Sequence, residues 1–195
     1  MRLGLSSSLT HQTPEEWAER LSALGCRAVN FPVDYTGEPS LLDRYAKAAQ
    51  EHDLLIAEVG AWCNPISPDP ATRKAALLRC KEQLRFAAHM DVFNWITSAQ
   101  RYFFHEEFME ECFTKLGTHI KSCHLKNVHL SQAFTLQLQE TACEKGDLHL
   151  EKYAQLIEHL DPDMPVIIEH LESDAEYLES LAYVIQRFHK AGYSL

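Results

Sequence analysis

Three short segments of this chain end an apolar run on a side chain that can bind a metal or carry a proton. They are His89-Met90-Asp91-Val92-Phe93-Asn94, Ile120-Lys121-Ser122-Cys123-His124-Leu125-Lys126-Asn127 and Val166-Ile167-Ile168-Glu169-His170-Leu171. Asp, His and Glu together offer hard oxygen donors and one borderline nitrogen, a set suited to Mn, Mg or Zn. The same groups can take a proton from a reacting carbon and return it. Polar residues at the C-terminal ends of parallel strands, with helices between the strands, are how a βα barrel builds an active site.

The elements that must position these residues alternate along the chain. Arg2 to Ser7 reads as a strand, after which Thr13-Pro14-Glu15-Glu16 supplies an N-cap, a first-turn proline and a capping-box glutamate. Trp17, Leu21 and Leu24 share one helical face, and Gly25 can stop the helix. Ala28 to Val33 reads as a second strand, followed by a helix from Pro39 to Glu51. Leu54 to Ala61 is a third strand, apolar enough to be covered on both faces. Asp69-Pro70 opens the next helix, with Leu77, Cys80 and Leu84 on its apolar face. The Asp91 strand, a helix from His105 to Leu116, the His124 strand, a helix from Leu150 to His159, the Glu169 strand and a helix from Asp174 to Lys190 complete about six βα units.

That rhythm predicts an α/β fold with a parallel sheet and right-handed crossovers, closed as a barrel or, as the competing arrangement, open and doubly wound. No glycine-rich phosphate loop follows any strand, so a nucleotide fold has no positive support. The junction at Phe86-Ala87-Ala88-His89 has two readings, because neither proline nor glycine occurs between Pro70 and Gly117. Either a tight turn near Ala88 starts the Asp91 strand, or that segment continues the preceding helix.

Composition narrows the partners. With 195 residues, 46% of them apolar, residues 1–195 form one domain with a single core. A formal charge of -10 argues against nucleic acid and anionic membrane surfaces and leaves small polar substrates open. Six cysteines without a C-x-x-C pair, and no charged-then-apolar leader, fit reduced thiols in a cytoplasm. No apolar run approaches the roughly 18 residues that span a bilayer.

The strings Gly4-Leu5-Ser6-Ser7, Phe31-Pro32-Val33-Asp34-Tyr35, Ala57-Glu58-Val59-Gly60-Ala61-Trp62, Asn64-Pro65, Ser122-Cys123-His124-Leu125-Lys126 and Ile168-Glu169-His170-Leu171 resemble the sugar phosphate isomerase/epimerase family of xylose isomerase-like TIM barrels. The resemblance implies a divalent-metal enzyme that shuttles a proton between neighbouring sugar carbons through an enediolate, with a small-molecule sugar as substrate. It also implies a shortened barrel, since the first three strands are followed by what resembles the last three of eight. Asp91, His124 and Glu169 are then three of four expected metal ligands, and the first metal-binding glutamate is missing. Glu169 is the remaining family acid/base, and Glu58 is either its new partner carboxylate or a structural residue. A non-catalytic shortened scaffold is the alternative function.

Two departures bear on the site. Asn127 stands where the family motif has an aspartate, and Cys143 and Glu144 replace the proline and first glycine of a Pro-Gly-x-Gly loop. Trp62 could line a pocket mouth for a sugar ring, whereas Trp17 reads as core. Lys126 could contact a substrate oxygen or pair with a carboxylate. His119 and His129 read as surface or loop residues, and Glu106, Glu107, Glu110 and Glu111 as a solvated helix face. A six-strand barrel is narrower than one of eight. If it fails to close, its strand edges call for a partner, as in a homodimer.

Overall fold

The computed structural model describes residues 1–34, 36–60, 63–86, 99–131 and 137–195. Among these residues five parallel strands form one sheet: β1 (Arg2–Leu5), β2 (Ala28–Asn30), β3 (Leu55–Glu58), β4 (Cys123–Leu125) and β7 (Pro165–Ile168). Their order is β3-β2-β1-β7-β4, so the first and last strands of the chain lie together at the centre. Among the described residues this is the order of a barrel with β3 and β4 at its two edges. The expected sixth strand, with Asp91, falls outside the described residues, as do Trp62 and the junction beyond Phe86.

The register explains the curl. Gly4 pairs with Ala28 on one side and with Ile167 on the other, and Ile167 pairs with His124. These residues therefore share a face. Ala28, Ala57 and Ile167 pack together as a small cluster separate from the main core. A Cβ on Gly4 would lie 1.8 Å from the Ala28 carbonyl oxygen, so only glycine permits that strand approach. Small residues on the inner face let the sheet bend tightly, and β3 comes close to β7 although two strands separate them. A bulge between Val29 and Asn30 adds bend at the β2–β3 pairing.

The outer face carries Leu3, Leu5, Val29, Val166, Ile168 and Leu125, all buried against the helices. The helix α1 (Pro14–Ala23) buries Trp17 and Leu21, and α2 (Pro39–Glu51) buries Tyr45, Ala48 and Ala49. Three more complete this layer: α5 (His105–Leu116), α6 (Leu150–Leu160) and α7 (Asp174–Lys190). Thr13 and Ser173 cap α1 and α7 by accepting from Glu16 and Glu176 backbone N–H groups at 3.1 and 3.3 Å. Trp17 is core, as its helical position implied.

Two expectations change. Of the face assigned to the helix α3 (Pro70–Phe86), Leu77 is 46% exposed and Cys80 half-buried, the smaller Ala76 is buried instead, and the Leu84 side chain lies outside those described. Helical spacing identified a stripe but not whether another element reaches it. Residues beyond β4 also form an antiparallel hairpin that the sequence did not suggest, pairing β5 (Asn127–Leu130) with β6 (Leu138–Thr141). A short helix, α4 (Ala99–Phe103), precedes α5, and none of the described helices is long and apolar enough to cross a membrane.

Candidate proton-transfer site

His124 is the hub of the site. It sits in β4 on the inner face, buried, and its backbone carbonyl accepts a 3.0 Å hydrogen bond from the Tyr153 hydroxyl of α6. Its Nδ1 lies 2.9 Å from Glu169 Oε2 and its Nε2 lies 3.0 Å from Glu58 Oε1. Glu169 follows the last residue of β7, and its backbone N–H donates to the Leu125 carbonyl at 3.2 Å, which holds it beside β4. Glu58 closes β3, and its carbonyl accepts from Phe31 N–H at 2.8 Å. One imidazole thus sits between two carboxylates brought from three strands.

Lys126 extends the chain of charges. Two residues beyond His124, it turns to the same side, with its Nζ 2.8 Å from Glu169 Oε1 and 3.6 Å from Glu140 Oε1. Of its two expected roles, pairing with a carboxylate is the one observed. Glu140 belongs to β6, and its carboxylate also meets His170 Nδ1 at 2.9 Å. His170 has φ of 62°, a left-handed conformation that a non-glycine residue adopts at a cost, and this turn swings its ring towards the hairpin.

Burial, the largest influence on both His124 and Glu169, works against charge, yet the pairing overcomes it. Hydrogen bonds that its ring donates to Glu169 and Glu58 carry the His124 pKa up to about 10. Those from His124 and Lys126 bring Glu169 down to about 2. At neutral pH the imidazole is a cation between two carboxylates.

The fit to a divalent cation is partial. Glu58 Oε2 is buried with no hydrogen-bond partner among the described residues, while the other oxygen of the same carboxylate lies beside His124 Nε2; a carboxylate and a neutral imidazole are donors suited to Mg, Mn or Zn. Both oxygens of Glu169 are already engaged by His124 and Lys126. Among the described residues no group of three or more His, Cys, Asp or Glu side chains is poised to hold a metal, and Asp91 is not one of them.

Asn127 has a different part from the aspartate it replaces. Buried, it donates from Nδ2 to the Cys143 carbonyl at 2.8 Å and accepts on Oδ1 from the Val128 and Leu148 N–H groups at 2.9 and 3.0 Å. It staples the loop behind the site. Gly146, the glycine retained from the loop pattern, is required there, because a Cβ would lie 2.2 Å from the Asn127 side chain. Glu144 accepts from the Ser180 hydroxyl at 3.1 Å, and Ser180 in turn accepts from Cys143 N–H at 3.0 Å.

Glu140 and His170 escaped the sequence reading as site residues. His170 carried a signal, since it directly follows Glu169, whereas Glu140 is placed by a hairpin for which no turn pattern was visible. His119 and His129 are exposed, as expected, and His129 pairs with Asp147 at 2.8 Å.

No protein-family model and no curated protein sequence matches this chain. In fold it is similar to a solved structure described as a xylose isomerase-like TIM barrel protein from Mycobacterium smegmatis in complex with magnesium. The TM-score is 0.51 at 13% identity, over 92% of this chain and 90% of that chain. A xylose isomerase domain protein from Planctomyces limnophilus aligns at a TM-score of 0.34 and 16% identity, over 91% of this chain and 62% of that chain.

Proposed function

We propose that this chain, whose fold is that of the xylose isomerase-like TIM barrels in a shortened form, works as a sugar isomerase or epimerase. It moves a proton between neighbouring carbons of a hydroxy-carbonyl substrate. The observation that carries this reading is the placement of two carboxylates, Glu58 and Glu169, on either side of His124 at the C-terminal ends of the strands.

The two carboxylates divide the work by environment. Glu169, with its pKa lowered to about 2, is a weak base, and it orients His124 and Lys126. Glu58 keeps one buried oxygen without a hydrogen-bond partner among the described residues, and that oxygen takes the proton from carbon and returns it. His124 and Lys126 supply positive charge for the oxyanion that develops as the enediolate forms. A divalent cation, when bound, supplies further polarisation of the substrate oxygen. His124, with its proton shed, would hold it together with Asp91 and a released Glu169, the ligands that the resemblance implies.

A non-catalytic scaffold is the second reading, favoured by the balance of the cluster. Two carboxylates, one imidazolium and one ammonium balance in charge without a substrate.

Solvent deuterium exchange into fructose, psicose and tagatose, with and without added Mn, separates the readings. The expected result is exchange above the protein-free blank but slower than the 1 to 10³ per second or so of typical enzymes. Glu58→Gln should abolish it. No exchange above the blank supports the scaffold, and exchange that survives Glu58→Gln removes Glu58 from the chemistry.

A further inference from the structure

Four of the six cysteines, Cys26, Cys112, Cys123 and Cys143, are buried, and two are partly exposed. Those two face each other. Cys63 lies in the loop after β3 and Cys80 lies in α3, and their sulfurs are 3.5 Å apart. The Cys63 thiol also points at the Ala76 carbonyl at 3.5 Å, so it rests over the turn of α3 that runs from Ala76 to Cys80. Seventeen residues separate the two in sequence, which is why spacing gave no hint of the pair.

From this juxtaposition we propose that Cys63 and Cys80 form a dithiol oxidation site, closed to a disulfide by hydrogen peroxide. One thiolate attacks the peroxide oxygen, giving a sulfenic acid and releasing water after proton transfer. The second thiol displaces the sulfenic oxygen as another water, so one peroxide and two thiols give one disulfide and two waters. The sulfurs need only close from 3.5 Å to about 2.0 Å. Neither the proposed carboxylate chemistry nor a metal takes part.

The remaining thiols are poor competitors. Burial pushes Cys26 and Cys143 up to about 12, which leaves almost no thiolate at neutral pH. Cys63 is raised as well, by burial and by the neighbouring Cys80, while the Arg79 guanidinium works the other way. The first attack is therefore slow, and the second is fast because its partner is already in contact. Closure ties the loop that follows Glu58 to α3.

The test is peptide mapping of the whole chain after treatment with hydrogen peroxide, with free thiols alkylated under denaturing conditions. The expected result is a cross-linked peptide pair containing Cys63 and Cys80, lost on addition of dithiothreitol, with the other four cysteines still alkylated. Cys63→Ser and Cys80→Ser should each remove the cross-link. Oxidation of Cys63 only to sulfinic acid, or a disulfide involving any other cysteine at equal yield, overturns the proposal. So does the absence of any cross-link in the native chain, a result that does not depend on either variant folding.

Discussion

Glu58 and His124 stand on the two outermost strands of the five-stranded sheet, and their side chains meet at 3.0 Å. Four strand spacings in a flat sheet would put those strands about 19 Å apart. Side chains alone cannot bridge such a gap, so the contact requires the sheet to curl. The small inner residues Gly4, Ala28 and Ala57 make that curl sterically possible.

The chelator-treated protein should be most stable in mildly acidic solution. His124, raised from its ordinary 6.5 to about 10, contributes fully below 6.5 and loses its contribution as pH rises through 10. Glu169, lowered from 4.5 to about 2, contributes fully above 4.5 and loses it as pH falls through 2. Thermal midpoints measured across this range should fall off on both sides of pH 4.5 to 6.5. His124→Gln should flatten the alkaline side, and an unchanged alkaline slope would show that the imidazole is not charged in the fold.

Divalent cations should bind weakly. A ligating imidazole must first shed the proton that Glu169 and Glu58 help it to keep, so binding should release a proton and tighten as pH rises. Calorimetric titration with Mn and Zn, in buffers of differing ionisation enthalpy, reads both effects. Binding that is unaltered in a His124→Ala, Glu169→Ala double variant removes this assignment.

Asn127→Ala should cost about 2 to 4 kcal/mol in urea unfolding, because it leaves the half-buried Leu148 N–H and the buried Cys143 carbonyl without their partner. Asn127→Asp should also destabilise, since the new oxygen would face the Cys143 carbonyl where Nδ2 now donates. A neutral result for the aspartate would mean that the loop is held by other contacts.

Gly4→Ala should lower stability by more than about 3 kcal/mol, well above what a methyl group costs where backbone can shift, because the obstructing atom is the Ala28 carbonyl in the neighbouring strand. The same substitution at Gly192, with nothing within 4 Å of the new carbon but a φ of 90°, should show only the smaller conformational penalty. Urea midpoints of the two variants provide the comparison.

Local signals carried much of the fold. The bounds expected for α2, α5 and α7 coincide with those observed; Pro39 opens α2 and Ser173 caps α7. The site was legible where strand ends carry chemistry, at Glu58, His124 and Glu169. Sequence could not show that Lys126 would be spent on Glu169, that a hairpin would bring Glu140 to His170, or that Asn127 would act as a staple. Each of those depends on a partner distant in sequence. The first three strands are shorter than expected, their regular pairing ending at Leu5, Asn30 and Glu58.

The central place of the first and last strands dictates when the molecule can fold during its synthesis. Arg2 to Leu5 must wait for Pro165 to Ile168 before its second edge is covered. Until the ribosome has delivered that late segment, the nascent chain carries β1 with an open, apolar edge that invites pairing with other chains. Such distant pairing also makes folding slow. Expression at low temperature, or with a chaperone that shields the early strands, should raise the yield of soluble protein more than any change at the site itself.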